Sequence, residues 1–243
     1  MPHKLDSTYV DHAKWDVEEK RDARFNSIIK SYQKFWQQTS IPHDRQYWTL
    51  CGSHYNSEEG KLKGELGHIL EHDLIHPDQF FGVDYNQKII RKNRRYYPNI
   101  NWIFGDFIDT IQTQIKENNF NPSIINYDGV MMPKLASKYL KKLFNIIDHN
   151  VSRSLLLSTT FVLENSYNPT IKNDAQDCMN FIKKEYWIAD HWFPLKKMFP
   201  YKTSFHTGML VMVWIKRDHD PNNIQVTSNR NFEDWLDEEM EMT

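Results

Sequence analysis

Residues 80–86 read "FFGVDYN", a short apolar run that ends in Asp84 and leads directly into the basic stretch "QKIIRKNRRYY" at 87–97. A carboxylate at that point has two readings. It ends a turn and caps the next helix. Or it stands at the tip of a buried strand, where open α/β sheets bind ligands, and accepts from the hydroxyls of a nucleotide-like molecule.

Working outward, the same strand-then-helix unit recurs. "QYWTLC" (46–51) reads as a strand followed by a helix over 57–73, and "QFFGV" (79–83) as a strand followed by a helix over 86–96. "NWIF" (101–104) precedes a helix over 108–118, "SIINY" (123–127) one over 134–149, and "SLLLSTTFV" (154–162) one over 173–187. Short apolar strands alternating with helices of about 10 to 16 residues predict βαβ units and a parallel sheet covered on both faces. "GMLVMVWIKR" (208–217) is a long last strand; Gly208 and the two prolines of "FPLKKMFPYKTSFHT" before it suggest a hairpin return and an antiparallel edge. Upstream, residues 11–39 read as one polar helix, with Phe25, Ile28, Ile29, Tyr32, Phe35 and Trp36 at helical spacing until "SIPHD" breaks it. The fold expected is therefore a three-layer α/β sandwich with a mostly parallel, Rossmann-like sheet. Its parts are an N-terminal helical extension (1–45), the sheet domain (46–217) and a polar acidic tail (218–243).

Composition is consistent with that plan. The chain has 243 residues, 40% hydrophobic and 14% aromatic, enough for a substantial core. No apolar run approaches the 18 or so residues of a membrane span, and the first sixteen residues lack the apolar core of a secretory signal. Two cysteines, Cys51 and Cys178, form no metal-ligand spacing and suit a reducing cytoplasm. A net charge of −2 argues against a dedicated nucleic-acid coat and leaves room for a local basic patch.

The strand ends carry the candidate chemistry. After the first strand, Gly52 and Ser53 permit a tight turn, and Asn56 with Glu59 resembles a capping box opening the next helix. In that helix Gly60, Gly64 and Gly67 form a stripe suited to close approach by another backbone or a ligand. The next three strands end in acids: Asp84, then Asp106 in "IFGDFID", then Asp128 in "INYDGV". One such aspartate is ordinary turn chemistry; three in successive parallel strands would line one edge of the sheet. Asp84, with Tyr85 beside it, can accept two hydrogen bonds from a diol. Asp106 with Phe107 offers an acceptor beside an aromatic face. Asp128 with Tyr127 would lie nearest the reacting end of a ligand.

With these residues in place the chain resembles a class I S-adenosylmethionine-dependent methyltransferase over roughly residues 46–217, the late "FPYKTSFHTGMLVMVWIKR" being similar to that family's closing hairpin. The resemblance implies S-adenosylmethionine as cofactor, with Asp84 and Tyr85 at the ribose and Asp106 and Phe107 at the adenine. It further implies Gly52 and Ser53 at the methionine end and Asp128 beside the methyl group, with Tyr127 or His54 as proton acceptor. The glycine-rich signature is reduced to "LCGSHYN", without Gly-x-Gly, and "NYDGVMMP" stands where amino-directed base methyltransferases carry Asn/Asp-Pro-Pro-aromatic. The alternative is a catalytically inactive methyltransferase-like binding or scaffold protein; an enzyme using another adenosine-containing ligand is a further rival. For the acceptor, Tyr55, Tyr127, Phe161 and Trp192 are candidates to sandwich a planar group, and the reading leans to nucleic acid over a small molecule or protein.

Two further features have everyday readings. His68 and His72, at i and i+4, have zinc-like spacing but no matched third ligand in sequence. The basic run after Asp84 suits phosphate, and suits equally the solvated face of a helix whose dipole favours cations at its C-terminal end.

Overall fold

A computed structural model of the chain describes residues 18–51, 55–56, 61–62, 64–131, 133–162, 188–189, 191–194, 199–202, 208–222 and 226–227. In chain order, α1 (Glu18–Arg24), a π-helical segment (Phe25–Ile29) and α2 (Lys30–Trp36) run as one rod to Gln37, whose φ of 52° ends it. Then come β1 (Gln46–Leu50), β2 (Tyr55–Asn56), β3 (Lys61–Leu62), α3 (Gly64–Glu71), a 3-10 turn (Pro77–Gln79), β4 (Phe80–Asp84) and α4 (Gln87–Tyr96). These are followed by β5 (Asn101–Phe104), α5 (Phe107–Lys116), β6 (Pro122–Met131), α6 (Pro133–Asn150) and β7 (Leu155–Val162). The last strands are β8 (Ile188–Ala189), β9 (Trp192–Pro194), β10 (Phe199–Lys202), β11 (Gly208–Lys216) and β12 (Val226–Thr227).

The main sheet has the order β10-β11-β7-β6-β1-β4-β5, with β9 also paired to β11. The five strands from β7 to β5 are parallel, and β11 runs antiparallel to both β7 and β10. A parallel core with its first strand in the middle, closed by an antiparallel hairpin, is the mostly parallel, Rossmann-like α/β sheet that the order of elements predicts.

Alternation along the strands sorts side chains into two cores. Trp48, Phe81, Ile125, Tyr127, Leu157 and Trp214 face α5 and α6. Tyr47, Phe80, Ile124, Leu156 and Val213 face the N-terminal rod, α3 and α4. The stripe predicted from the rod is seated accordingly, with Ile28, Ile29 and Tyr32 fully buried on the second face. Gly82 is set by crowding: a Cβ there would lie 2.7 Å from the Trp102 ring.

Two expectations are corrected. The helix predicted over 57–73 begins only at Gly64, because Tyr55–Asn56 pairs antiparallel with Lys61–Leu62. Asn56 therefore belongs to a strand and opens no helix. Gly64 stands at the helix start with φ 73°, a left-handed conformation glycine adopts without strain, and so is not part of an interior stripe. The helix predicted over 173–187 lies outside the described residues.

Candidate functional site

In an open α/β sheet ligands bind beyond the carboxyl ends of the strands, at the point where the strand order reverses. Here β1 leads out to β4 on one side while β6 flanks it on the other, so the crevice is bounded by the ends of β1, β4, β5 and β6. Asp84 ends β4, Asp106 follows β5, and Asp128 lies within β6, which runs on to Met131 instead of stopping at Tyr127; the three are in different states.

Asp84 closes β4 and is buried. Its Oδ1 accepts the Asn86 amide at 2.7 Å; among the described residues no group bonds Oδ2. The helix cap is Asn86, whose side chain accepts the Lys88 amide at 3.0 Å. Asp84 makes a turn without capping α4, and it keeps one oxygen for something else. Burial pushes its carboxyl up to about 6, with the Asn86 bond opposing. Tyr85 beside it is 74% exposed, and Phe104, paired in register with Asp84, is 53% exposed. Two exposed rings therefore flank one buried carboxylate. Phe104 went unnoticed in the sequence because it reads as the last apolar residue of an ordinary strand.

Asp106 is an exposed N-cap. Its Oδ1 accepts the amides of Ile108 and Asp109 at 2.9 and 3.1 Å. Phe107 is turned down into the core, 5.5 Å from the Tyr127 ring. The structure thus gives Asp106 a helix-opening bond, and leaves Phe107 as part of the floor.

Asp128 faces the N-terminal rod. Its Oδ2 pairs with Lys20 at 2.8 Å, in a small pocket lined also by Arg24, Asn126, Ser158 and Thr160. Burial alone would raise this carboxyl; the Lys20 ammonium outweighs it, with Arg24 adding, and holds it below the usual carboxylate range. Tyr127 points to the opposite face, and burial pushes its phenol up to about 12. Such a phenol stays protonated at neutral pH.

Gly52, Ser53 and His54 lie outside the described residues, as does the side chain of Tyr55. Cys51, just before them, is buried, and its thiol is pushed well up by burial and by the nearby Asp84. Sequence reading missed Glu65. It sits in the first turn of α3, is buried, and accepts from the Tyr47 hydroxyl at 2.6 Å and the Thr49 hydroxyl at 3.1 Å. Burial raises its carboxyl, against the pull of Arg24. An acid among the glycines and aliphatic residues of "GELGHIL" was the available signal.

Other candidates fall elsewhere. Trp192 is buried at the far end of the sheet, paired across from Lys216, and is no part of a mouth at the carboxyl ends. Phe161 is buried in the core. His68 and His72 meet edge to face at 4.9 Å, with Phe25 packed on His72 at 4.5 Å, an aromatic cluster. Among the described residues, the one group of metal-ligand types is Asp148, His191 and His219, also at the far end. Most of its atoms are already engaged: Asp148 Oδ1 accepts from Trp192 at 2.6 Å and meets His191 Nε2 at 2.8 Å, and His219 Nε2 meets the Asp148 carbonyl at 2.8 Å, while His219 Nδ1 is buried without a partner among the described residues.

No protein-family model and no curated protein matches the chain. Solved structures similar to it include BamL, a plantazolicin methyltransferase in complex with S-adenosylhomocysteine, at 11% identity and TM-score 0.49, covering 83% of this chain and 86% of that one. An O-methyltransferase from Bacillus cereus in complex with S-adenosylhomocysteine is 10% identical, with TM-score 0.43 and coverage of 87% and 94%. A TehB-like methyltransferase from Corynebacterium glutamicum is 13% identical, with TM-score 0.41 and coverage of 82% and 93%.

Proposed function

We propose that this chain binds S-adenosylmethionine and transfers its methyl group. The observation that carries the reading is Asp84: a buried carboxylate at the end of the strand next to the central one, with an oxygen to spare and two exposed rings beside it. In this site Asp84 accepts from the ribose hydroxyls, while Tyr85 and Phe104 flank the adenosine. Asp106 offers its second oxygen to the adenine amino group above the Phe107 floor, and Gly52 and Ser53 turn at the methionine end.

Methyl transfer from a sulfonium is an in-line displacement. The cofactor supplies the activated group; the chain's task is to hold donor and nucleophile in line and to manage the acceptor's proton. Asp128, kept anionic by Lys20, orients the acceptor, Tyr127 donates a hydrogen bond, and His54 takes the proton. In this reading residues 1–45 close over the sheet domain of 46–217, because Lys20 on the rod reaches Asp128. The acceptor is a nucleic acid. Incubating the protein with S-adenosylmethionine labelled at the methyl group and pooled single-stranded RNA or DNA tests the activity. Label is expected in the nucleic acid and absent with Asp84→Ala. Cofactor binding without transfer to any acceptor favours the scaffold reading, which the missing Gly-x-Gly supports.

A further inference from the structure

Helix α4 carries five cations and no acid in ten residues, "QKIIRKNRRY". Four of them, Lys88, Arg91, Lys92 and Arg95, recur at i, i+3, i+4 and i+7, the spacing of one helix face. Ile89, Ile90 and Asn93 occupy the buried face, which leaves the cationic stripe outward. None of the four forms an ion pair with any described residue. The fifth, Arg94, is used internally, its guanidinium donating to the Trp102 carbonyl at 2.6 and 3.2 Å.

Helix physics does not call for this stripe. The dipole favours cations in the last turn, which accounts for Arg94 and Arg95. It disfavours Lys88, two residues after the Asn86 cap. Like charges three and four apart repel, and no acid on the helix relieves them. A face that is mildly unfavourable alone becomes favourable against a row of negative charges. Seven residues of α-helix rise about 10 Å, a span comparable with two or three successive phosphates of a single strand.

The surroundings select the kind of polyanion. Of the large hydrophobic side chains exposed among the described residues, Tyr85, Tyr96, Phe104 and Tyr139, the first three bracket α4. Tyr85 and Phe104 lie at its N-terminal end, by the candidate site, and Tyr96 lies at its C-terminal end. Arg95 sits 5.9 Å from the Tyr96 ring centre. Cations in a row with exposed rings at the ends suit unstacked bases on a charged backbone.

We propose that the outward face of α4 is a docking surface for single-stranded nucleic acid. The phosphates run along Lys88, Arg91, Lys92 and Arg95, a base stacks on Tyr96, and the strand leads past Lys88 toward the crevice at Asp84. This names the route of the acceptor and rests on the methyl-transfer reading only for the strand's destination; the binding itself needs no cofactor.

The test is fluorescence anisotropy of the full chain with a labelled 12-nucleotide single-stranded RNA of mixed sequence. It compares wild type, the quadruple variant K88Q/R91Q/K92Q/R95Q and Tyr96→Ala. S-adenosylhomocysteine calorimetry and a melting curve are run on the same preparations. Two or three phosphate contacts on a single strand give a slope of about −1.4 to −2.1 in log affinity against log salt, so doubling the salt weakens wild type roughly three- to fourfold. The quadruple variant is expected to lose that slope and at least tenfold in affinity at low salt. Tyr96→Ala is expected to lose about fivefold on the single strand and little on a duplex of the same length. Failure of wild type to bind the RNA overturns the proposal, and so does a folded quadruple variant that binds it equally well. Stripe-dependent binding to phosphatidylserine vesicles without RNA binding assigns the face to a membrane and overturns it too. RNA binding that depends on the stripe, in a protein that ignores S-adenosylhomocysteine, upholds the surface and removes the methyltransferase reading. The reverse result removes only the surface.

Discussion

At the amino ends of the parallel strands, most of the buried polar groups engage one another, His219 Nδ1 and Arg45 Nε being the buried atoms without a hydrogen-bond partner among the described residues. Asp148 accepts from Trp192 and meets His191, whose ring stacks on His219 at 3.8 Å. Lys216, fully buried, donates to the carbonyls of Ser152, Arg153 and Arg217 at 3.3, 3.0 and 3.3 Å. At the carboxyl ends, Asp84 makes one hydrogen bond and Asp128 leans on a single lysine from the N-terminal rod. Both ends bury carboxylates beneath a similar apolar core. A satisfied network fixes structure, whereas a buried acceptor left open fixes nothing until a ligand arrives. The comparison says where substitutions should cost stability and where they should cost binding.

The largest effect is expected from Asp148→Ala. It leaves the Trp192 indole and His191 without their acceptor and the Lys216 ammonium without its nearby negative charge. Breaking such a buried arrangement costs about 3 to 5 kcal/mol. Urea denaturation reads the loss, and S-adenosylhomocysteine affinity, measured where the variant is folded, should be unchanged. Weakened cofactor binding with intact stability would reverse the roles of the two ends.

Next is Asp84→Asn, which retains the turn but gives up one acceptor. A charge-assisted hydrogen bond contributes about 1.5 to 3 kcal/mol, so S-adenosylhomocysteine affinity should fall about ten- to a hundredfold. Stability without ligand should hold or rise slightly, since a buried charge is removed. Burial pushes the folded carboxyl up from 3.8 to about 6, and in the proposed site the carboxylate is the binding form. Affinity should therefore be full above pH 6 and decline as pH falls through it. Without ligand the sign is opposite: between 3.8 and 6 the folded state holds more protons than the unfolded, so this group's contribution to stability falls as pH rises. Both trends should vanish in Asp84→Asn, which calorimetry and melting across pH 5 to 8 would show.

Lys20→Met removes the partner of Asp128 and a tie between the rod and β6. With both side chains partly exposed, the loss should be near the lower end for a charged hydrogen bond, about 1.5 kcal/mol. It should lower methyl transfer more than cofactor affinity; an unchanged turnover would separate the rod from the site. The smallest effect belongs to Asp106. Asp106→Ala should cost about 1 kcal/mol as a lost cap, and Asp106→Asn almost nothing, because asparagine caps as well. A large affinity loss in Asp106→Asn would show its second oxygen to be a main cofactor contact.

The fold was legible because apolar periodicity reports burial directly, and "NWIF" falls on Asn101–Phe104 without adjustment. The helix after β1 was misplaced because "NSEEGKLKGEL" carries a capping pattern and helix formers, while the competing strands β2 and β3 are two residues each, too short to show any alternation. At the site, sequence singled out three acids but not their states, and it ended β6 too early, at Tyr127, where the strand runs on through Asp128 to Met131. Whether an aspartate caps, pairs or stays open depends on which face of the sheet it meets and what covers that face. Lys20 is 108 residues from Asp128, and no spacing rule spans that distance.

In the proposed function, the open carboxylate at Asp84 belongs to a site for S-adenosylmethionine and its product. Isothermal titration of the full wild-type chain with S-adenosylhomocysteine, and in parallel with NAD and ATP, tests it most directly. One saturable site for S-adenosylhomocysteine is expected, with no comparable binding of the other two. No heat and no melting shift with S-adenosylhomocysteine, or equal binding of NAD or ATP, would contradict it.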